Sequence, residues 1–229
     1  MSIIIPVLNE TPHLERLLPD LPERCPGAEI IVVDGGSADG TPQVVDRFAF
    51  ARLLSSPRGR ATQMNVGAAQ AQGEVLCFLH ADTVLPHGAL DAVRSALADP
   101  RMVGGRFDIN IDSPRVALQV ITFFMNLRSR LTRIATGDQA IFVRRKIFLQ
   151  MGGFPDIPLM EDVEFTKRLK RQGRVACLPV RVTTSARKWE REGVIRTILL
   201  MWTLRLLYFF GISPARLLRL YYGYPPSTA

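Results

Sequence analysis

Three short stretches carry residue types that could do chemistry. Asp34-Gly35-Gly36-Ser37-Ala38-Asp39-Gly40-Thr41 follows an apolar run and precedes a helical one. Its paired glycines let the backbone come close to a ligand, and a carboxylate there can accept an N–H such as a nucleobase imide. His80-Ala81-Asp82-Thr83 follows a second apolar run. A carboxylate at that point suits a divalent cation, Mn²⁺ or Mg²⁺, that completes its shell with diphosphate and water. Glu161-Asp162 opens a helix after a loop containing Gly152-Gly153-Phe154-Pro155. One of the two acids can serve as general base while the other orients a group. Each stretch alone also fits a structural role: a glycine turn with a helix cap, an aspartate capping the next helix, or acids favoured by a helix dipole. The first stretch lacks both the Gly-Lys-Ser/Thr of a phosphate loop and the GxGxxG dinucleotide spacing.

The elements that must position these residues follow from periodicity. Ser2–Pro6, Glu29–Asp34 and Glu74–His80 are short apolar runs separated by helix-like stretches at about 11–24, 41–50 and 60–71. That alternation predicts βαβ units around a mostly parallel sheet, its strands buried on both faces. Ligands of such sheets bind beyond the carboxyl ends of the strands, which directs attention to Pro6–Glu10, Asp34–Gly40 and His80–Thr83. Thr11-Pro12, Thr41-Pro42 and Ser113-Pro114 read as capping hydroxyls just before a first-turn proline. Further on, 102–111 reads as a strand, 114–134 as an amphipathic helix, Ala140–Val143 as a short strand and 160–172 as a helix. A long apolar helix at 191–212 and a short one at 214–222 follow.

Composition narrows the function classes. The 229 residues are 47% hydrophobic and 22% charged, as in a globular domain and unlike a disordered chain. The net charge of +8 is uneven: residues 1–162 carry −2 and residues 163–229 carry +10. A basic end suits nucleic acid, an anionic membrane or a phosphorylated substrate. No zinc-finger spacing, aromatic RNA-binding motif or basic low-complexity tail supports nucleic acid, which is set aside. Cys25, Cys77 and Cys177 fit neither a disulfide framework nor a zinc site and suggest a reducing compartment. The start MSIIIPVLNE has no secretory character, so a cytoplasmic location is expected.

Five motifs in order give a resemblance. Pro6-Val7-Leu8-Asn9-Glu10, the Asp34 stretch, Gly59-Arg60-Ala61-Thr62-Gln63-Met64-Asn65, Leu79-His80-Ala81-Asp82 and Glu161-Asp162 together resemble family 2 glycosyltransferases of the GT-A fold, over about residues 2–190. The resemblance implies an α/β GT-A domain at 1–190, with a nucleotide-sugar half at 1–100, an acceptor half at 101–190 and a helical tail at 191–229. It implies that Pro6, Asn9 and Glu10 line the nucleotide pocket, that Asp34 reads the base, and that Ser37, Arg60, Asn65, His80 and Ala81 stand beside the donor. UDP is expected ahead of GDP as the nucleotide. Asp82 corresponds to the last aspartate of the family's Asp-x-Asp metal motif. Asp162 corresponds to the base that deprotonates the acceptor hydroxyl in an inverting transfer.

Two positions depart from the family pattern. His80 replaces the first metal-motif aspartate; it can ligate Mn²⁺, lie behind the ligands or touch the ribose. Arg187-Lys188-Trp189 resembles the Arg-Trp end of a Gln-x-x-Arg-Trp motif facing diphosphate and acceptor, but Thr184 stands where the glutamine would be. Gly137-Asp138-Gln139 reads either as a turn or as donors and acceptors for sugar hydroxyls, with Glu161 on the same side. His13 and His87 receive no role.

Thr197–Ile212 is nearly all apolar but too short and interrupted for a span. It fits a membrane interface on the inner face, with Trp202, Tyr208, Tyr221, Tyr222 and Tyr224 as its aromatic belt, and equally burial against a partner subunit such as a second copy. Two other readings compete with the transferase: a sugar-phosphate nucleotidyltransferase, whose Gly-rich N-terminal signature is absent, and a catalytically silent nucleotide-sugar-binding protein at a membrane. The sugar and the acceptor are not named by the sequence.

Overall fold

The computed structural model describes residues 1–222, without the side chains of Lys188 and Tyr222. Tyr224 lies outside the described residues. The first half runs β1 (Ser2–Val7), α1 (Thr11–Arg24), β2 (Glu29–Asp34), α2 (Thr41–Asp46), β3 (Ala51–Ser55), α3 (Arg60–Gln70), β4 (Val75–Phe78), β5 (Thr83–Val84) and α4 (Ala89–Leu97). The second runs β6 (Met102–Asp112), α5 (Val116–Thr132), a 3₁₀ turn (Gly137–Gln139), β7 (Ile141–Arg144), α6 (Arg145–Gln150), α7 (Glu161–Leu169), β8 (Arg174–Ser185), α8 (Arg187–Glu192), α9 (Val194–Phe209) and α10 (Pro214–Tyr222).

The strands form one sheet in the order β3-β2-β1-β4-β7-β6-β8-β5. From β3 to β4 every pairing is parallel. Beyond β4 the sheet turns mixed: β7 is antiparallel to both neighbours, β6 and β8 run parallel, and β5 closes antiparallel on β8. The α/β expectation holds, with parallel character concentrated in the first half.

Strand periodicity explains the core. Ile3, Ile5 and Val7 face one apolar cluster with Leu14, Leu18 and Val93, while Ile4 faces another with Met64 and Phe165. Successive side chains alternate between faces, so a continuous apolar run needs helices on both sides. Gly67 lets α3 lie close on the sheet: a Cβ there would stand 2.5 Å from the Ile4 side chain. Phe78, Phe148, Phe154 and Phe165 stack beneath the second half, Phe154 and Phe165 with centroids 4.3 Å apart.

Several sequence expectations change in detail. The hydroxyls of Thr11 and Thr41 do not cap; the residues before α1 and α2 are Glu10 and Gly40, and neither helix has a side-chain cap bond. Both threonines are instead drawn into a lock between the β1 and β2 loops, described below. Arg115, not Ser113, precedes α5. The helix expected at 41–50 ends at Asp46. The single helix expected at 191–212 is broken by Gly193 at φ 84° into α8 and α9. Strands β3, β5 and β8 were not anticipated. β8 alternates buried and exposed residues at only some positions, and its register with β6 slips between Phe107 and Asp108.

Candidate functional site

The loops after β1 and β2 are tied together at their strands' carboxyl ends. Asn9 adopts φ 56°; its N–H donates to Ser37 Oγ at 2.8 Å, and its Oδ1 accepts from Ala38 N–H at 2.9 Å. Glu10 N–H donates to Thr41 Oγ1 and Thr11 N–H to Asp39 Oδ2, at 2.9 and 3.1 Å. Slight burial opposes it, yet hydrogen bonds from Thr41 and Thr11 hold the Asp39 carboxyl down to about 2. Asp34, almost fully buried, accepts from Gly36 N–H, Ser37 N–H and Ser37 Oγ, the last at 2.5 Å. A carboxylate offers about four lone-pair sites, and with Ser37 N–H shared between both oxygens these donors reach two on each. Pro6 is half-buried within β1, and Glu10 Oε2 lies 2.5 Å from His13 Nδ1.

One organising residue had no assigned role in the sequence. Gln63, buried on α3, donates through Nε2 to Val7 O at 2.7 Å and Val33 O at 2.8 Å, joining the ends of β1 and β2. Its signal was its spacing, one helical turn after Arg60 on the face of α3 that meets the sheet.

Beyond the end of β4 lies a small, partly open cavity of about 10 Å³, room for about one water. Arg60, His80, Gly137, Glu161 and Asp162 line it with Phe154. Asp162 Oδ2 accepts from Gly137 N–H at 2.8 Å and Oδ1 from Val163 N–H at 2.6 Å. Burial, then the adjacent Glu161 charge, pushes the Asp162 carboxyl up to about 6 against the pull of Gly137 N–H and Arg60. Arg60 Nη1 stands 3.5 Å from the buried Glu161. Burial works against the Arg60 cation, but the charges of Glu161, Asp138 and Asp162 outweigh it and raise its proton affinity. Arg128 of α5, also without a role in the sequence reading, has its proton affinity lowered by burial and partly restored by Asp162.

His80 Nδ1 is 3.2 Å from Asp138 Oδ1, and its buried Nε2 has no partner among the described residues. A Cβ on Gly137 would come within 2.5 Å of that Nε2, so only glycine allows the turn to lie against the ring. Asp82 faces elsewhere. With Ala81, His13, Arg16, Arg187 and Glu190 it lines an open cleft of about 310 Å³, within the lower range of ligand pockets. Its backbone is pinned by Ser185 N–H to Asp82 O at 3.2 Å, beside the Thr83–Thr184 pairing.

The remaining expected residues make supporting contacts with backbone and core. The Asn65 amide bridges both backbone groups of Phe154 at 2.9 Å. Gln139 is fully buried and accepts from Thr136 N–H, closing the 3₁₀ turn. Trp189 packs with Ile111 and Leu118. The Lys188 side chain lies outside the described residues.

The fit to a divalent cation rests on donor chemistry. No group of three or more His, Cys, Asp or Glu that could hold a metal is found among the described residues. A strand-end carboxylate in an open cleft that Asp112 and Glu190 also line nevertheless suits a hard cation that brings diphosphate oxygens and water as its other ligands.

Comparison with known proteins adds an independent line. The family described as glycosyl transferase family 2 matches residues 2–152. The chain is 27% identical over 221 residues to the probable glycosyltransferase YdaM of Bacillus subtilis, covering 84% of this chain and 50% of that protein. It is 27% identical over 188 residues to glycosyltransferase AglE of Haloferax volcanii, covering 76% and 62%. The chain thus spans about half the length of the first relative and under two thirds of the second. Among solved structures, the mannosyltransferase PcManGT from Pyrobaculum calidifontis, in complex with GDP-Man and Mn²⁺, matches with TM-score 0.64 and 26% identity, over 80% of this chain and 55% of that one. S. aureus TarS 1–349 in complex with UDP-GlcNAc shares the fold at TM-score 0.65 and 22% identity, over 80% and 58%.

Proposed function

The chain belongs to glycosyl transferase family 2, and from that premise we propose that it transfers a sugar from a nucleotide-sugar donor to an acceptor hydroxyl with inversion. The observation that carries the reading is Asp162: a carboxyl raised to about 6, held by two backbone N–H groups in a cavity shared with Phe78 and His80 at the carboxyl end of β4. A base raised toward neutrality is matched to taking a proton from a hydroxyl and is still largely charged at pH 7.

In this reading catalysis belongs to residues 1–190, and 191–229 form a contact element. The nucleotide lies over the β1 and β2 loops, and Asp34 at the end of β2 reads an imide N–H of uracil or guanine. UDP is favoured over GDP. Pro6, Asn9, Glu10, Ser37 and Ala81 line its path. Asp82 would hold Mn²⁺ or Mg²⁺, which when bound neutralises charge on the departing diphosphate. Asp162 takes the acceptor proton as the acceptor oxygen bonds to the anomeric carbon. The bond to the diphosphate breaks with its electron pair leaving on that group, so the centre inverts. Arg60 and Arg187 face the developing negative charge from opposite sides, and His80, paired with Asp138, orients the donor without joining Asp82. Gly137, Asp138, Gln139 and Glu161 shape the acceptor side with Trp189. A lipid or lipid-linked acceptor, met at the inner face of a membrane, accords with the basic tail.

The test is thermal shift with UDP, GDP and their sugars, with and without Mn²⁺. A Mn²⁺-dependent rise with a uridine nucleotide, lost in Asp82→Ala, is expected. No rise with any nucleotide would overturn the donor reading.

A further inference from the structure

Two helices of the second half present apolar stripes that stay exposed among the described residues. On α9, Ile195, Leu199, Trp202, Leu206 and Phe209 recur at three- and four-residue spacing and are all exposed, Trp202 by 72%. On α5, Val116, Val120, Phe123, Phe124, Leu127 and Leu131 do the same, Phe123 by 61%. A stripe at this spacing lies along one face of a helix. Contiguous exposed apolar surface of this kind marks an interaction site on a folded protein.

The two helices are neighbours. Ile121 and Met125 of α5 share a cluster with Val194, at the start of α9. Ile134, just past α5, shares another with Leu200, Met201 and Leu204 of α9. Each stripe lies opposite its helix's supporting face: Asn126 of α5 bonds both backbone groups of Ile109, and Leu204 of α9 is buried.

Charge identifies the occupant. Residues 113–134 hold four arginines and no acid, and so do residues 193–222; Arg130 pairs with Asp108, Arg133 donates to Val175 O, and Arg128 stands near Asp162. Arg115, Arg196, Arg216 and Arg219 are exposed. A second copy on this surface would set arginine against arginine, and a neutral partner would leave them unmatched. No described helix is long and apolar enough to cross a membrane.

We propose that the exposed stripes of α5 and α9, with their arginine flanks, form one surface that lies on an anionic lipid layer, apolar side chains in the interface and guanidiniums at the headgroups. Such binding combines apolar burial with attraction to anionic lipid. The aromatic set differs from the sequence expectation: Tyr208 turns inward to donate to Glu164, with Lys167 over its ring, and Tyr221 packs inward, while Phe123, Phe124 and Phe209 face out beside Trp202.

The surface also bears on the acceptor, and this part rests on the transferase reading. The buried side of α9 packs with Met160 and Val163, which flank Glu161 and Asp162. A docked lipid layer would then lie roughly one helix diameter, about 10 Å, from the base. That favours an acceptor whose hydroxyl stands just above a bilayer.

Co-sedimentation of the full chain with vesicles tests the surface. We expect binding to vesicles of phosphatidylcholine with phosphatidylglycerol, weaker binding to phosphatidylcholine alone, and weakening as salt rises. The double variant Phe123→Gln/Trp202→Gln should lose binding at least tenfold while keeping the wild-type nucleotide thermal shift and helical circular dichroism. Equal binding of wild type and variant, or no binding to anionic vesicles, overturns the proposal. A concentration-dependent dimer abolished by the same variant also overturns it, in favour of a second copy. Vesicle binding without any nucleotide shift leaves the surface standing and removes the transferase reading instead.

Discussion

Strand β1 and helix α9 are both built almost wholly of apolar residues, yet they end in opposite environments. Ile3, Ile4 and Ile5 of β1 are wholly buried, whereas only Thr197 and Leu204 of α9 are. A strand in the middle of a sheet has neighbours along both edges and helices on both faces. An outer helix packed through one stripe has none for the other. Apolar content therefore records that a segment is covered, and does not say by what. In the first half the cover is the chain's own core; on α5 and α9 the described residues supply none.

The sharpest test sits at the supported end of this contrast. Asp162→Asn should lower turnover about 10²–10⁴-fold, the usual contribution of a positioned base. Donor binding should persist, measured by thermal shift with nucleotide. Because burial raises the folded-state pKa above its ordinary value, the native state holds the Asp162 proton more tightly than the unfolded chain does. The stability associated with that proton is present at low pH and lost as pH rises through about 6. The Asn variant should then melt no lower than wild type at pH 8, and wild-type turnover should fall tenfold per pH unit below about 6. A variant that keeps its activity would remove the base from Asp162.

Packing predicts the next two effects. Phe165→Ala, in the ring stack beneath α7, should cost about 3–5 kcal/mol in chemical denaturation. Gln63→Ala leaves two strand-end carbonyls without their side-chain donor and should cost about 1–3 kcal/mol, with weakened nucleotide binding from a loosened β1–β2 junction. The smallest effect is expected on the uncovered helix. Without lipid, Trp202→Gln should stay within about 0.5 kcal/mol of wild type in the same denaturation experiment. A large loss there would mean that α9 belongs to the core and would erase the contrast between the two regions.

Much of the first half was legible because its signals are local. Ser2–Pro6 and Glu29–Asp34 show unbroken apolar character, and the βα alternation between them implies parallel pairing. The second half was less so. β8 contains Pro179 and carries Arg174 and Arg181, so its sequence does not look like a strand; ten residues paired to β6 make it one. The Thr-Pro pairs looked like caps because capping is a local rule, yet Asp39 and Glu10 offered stronger partners from the neighbouring loop.

The sequence by itself determined the α/β class and the order in which the carboxylates of Asp34, Asp82, Glu161 and Asp162 occur, since strand period, glycine turns and motif order are written along the chain. Only the tertiary structure decided that His80 and Asp82 face different cavities, that Asn65 serves a loop, and that Asp162 has a raised pKa. It also decided that two apolar stripes stay exposed. Those outcomes depend on burial and on groups far apart in sequence, such as Arg60 beside Glu161. Desolvation and charge act through space, where neighbours along the chain carry no record of them.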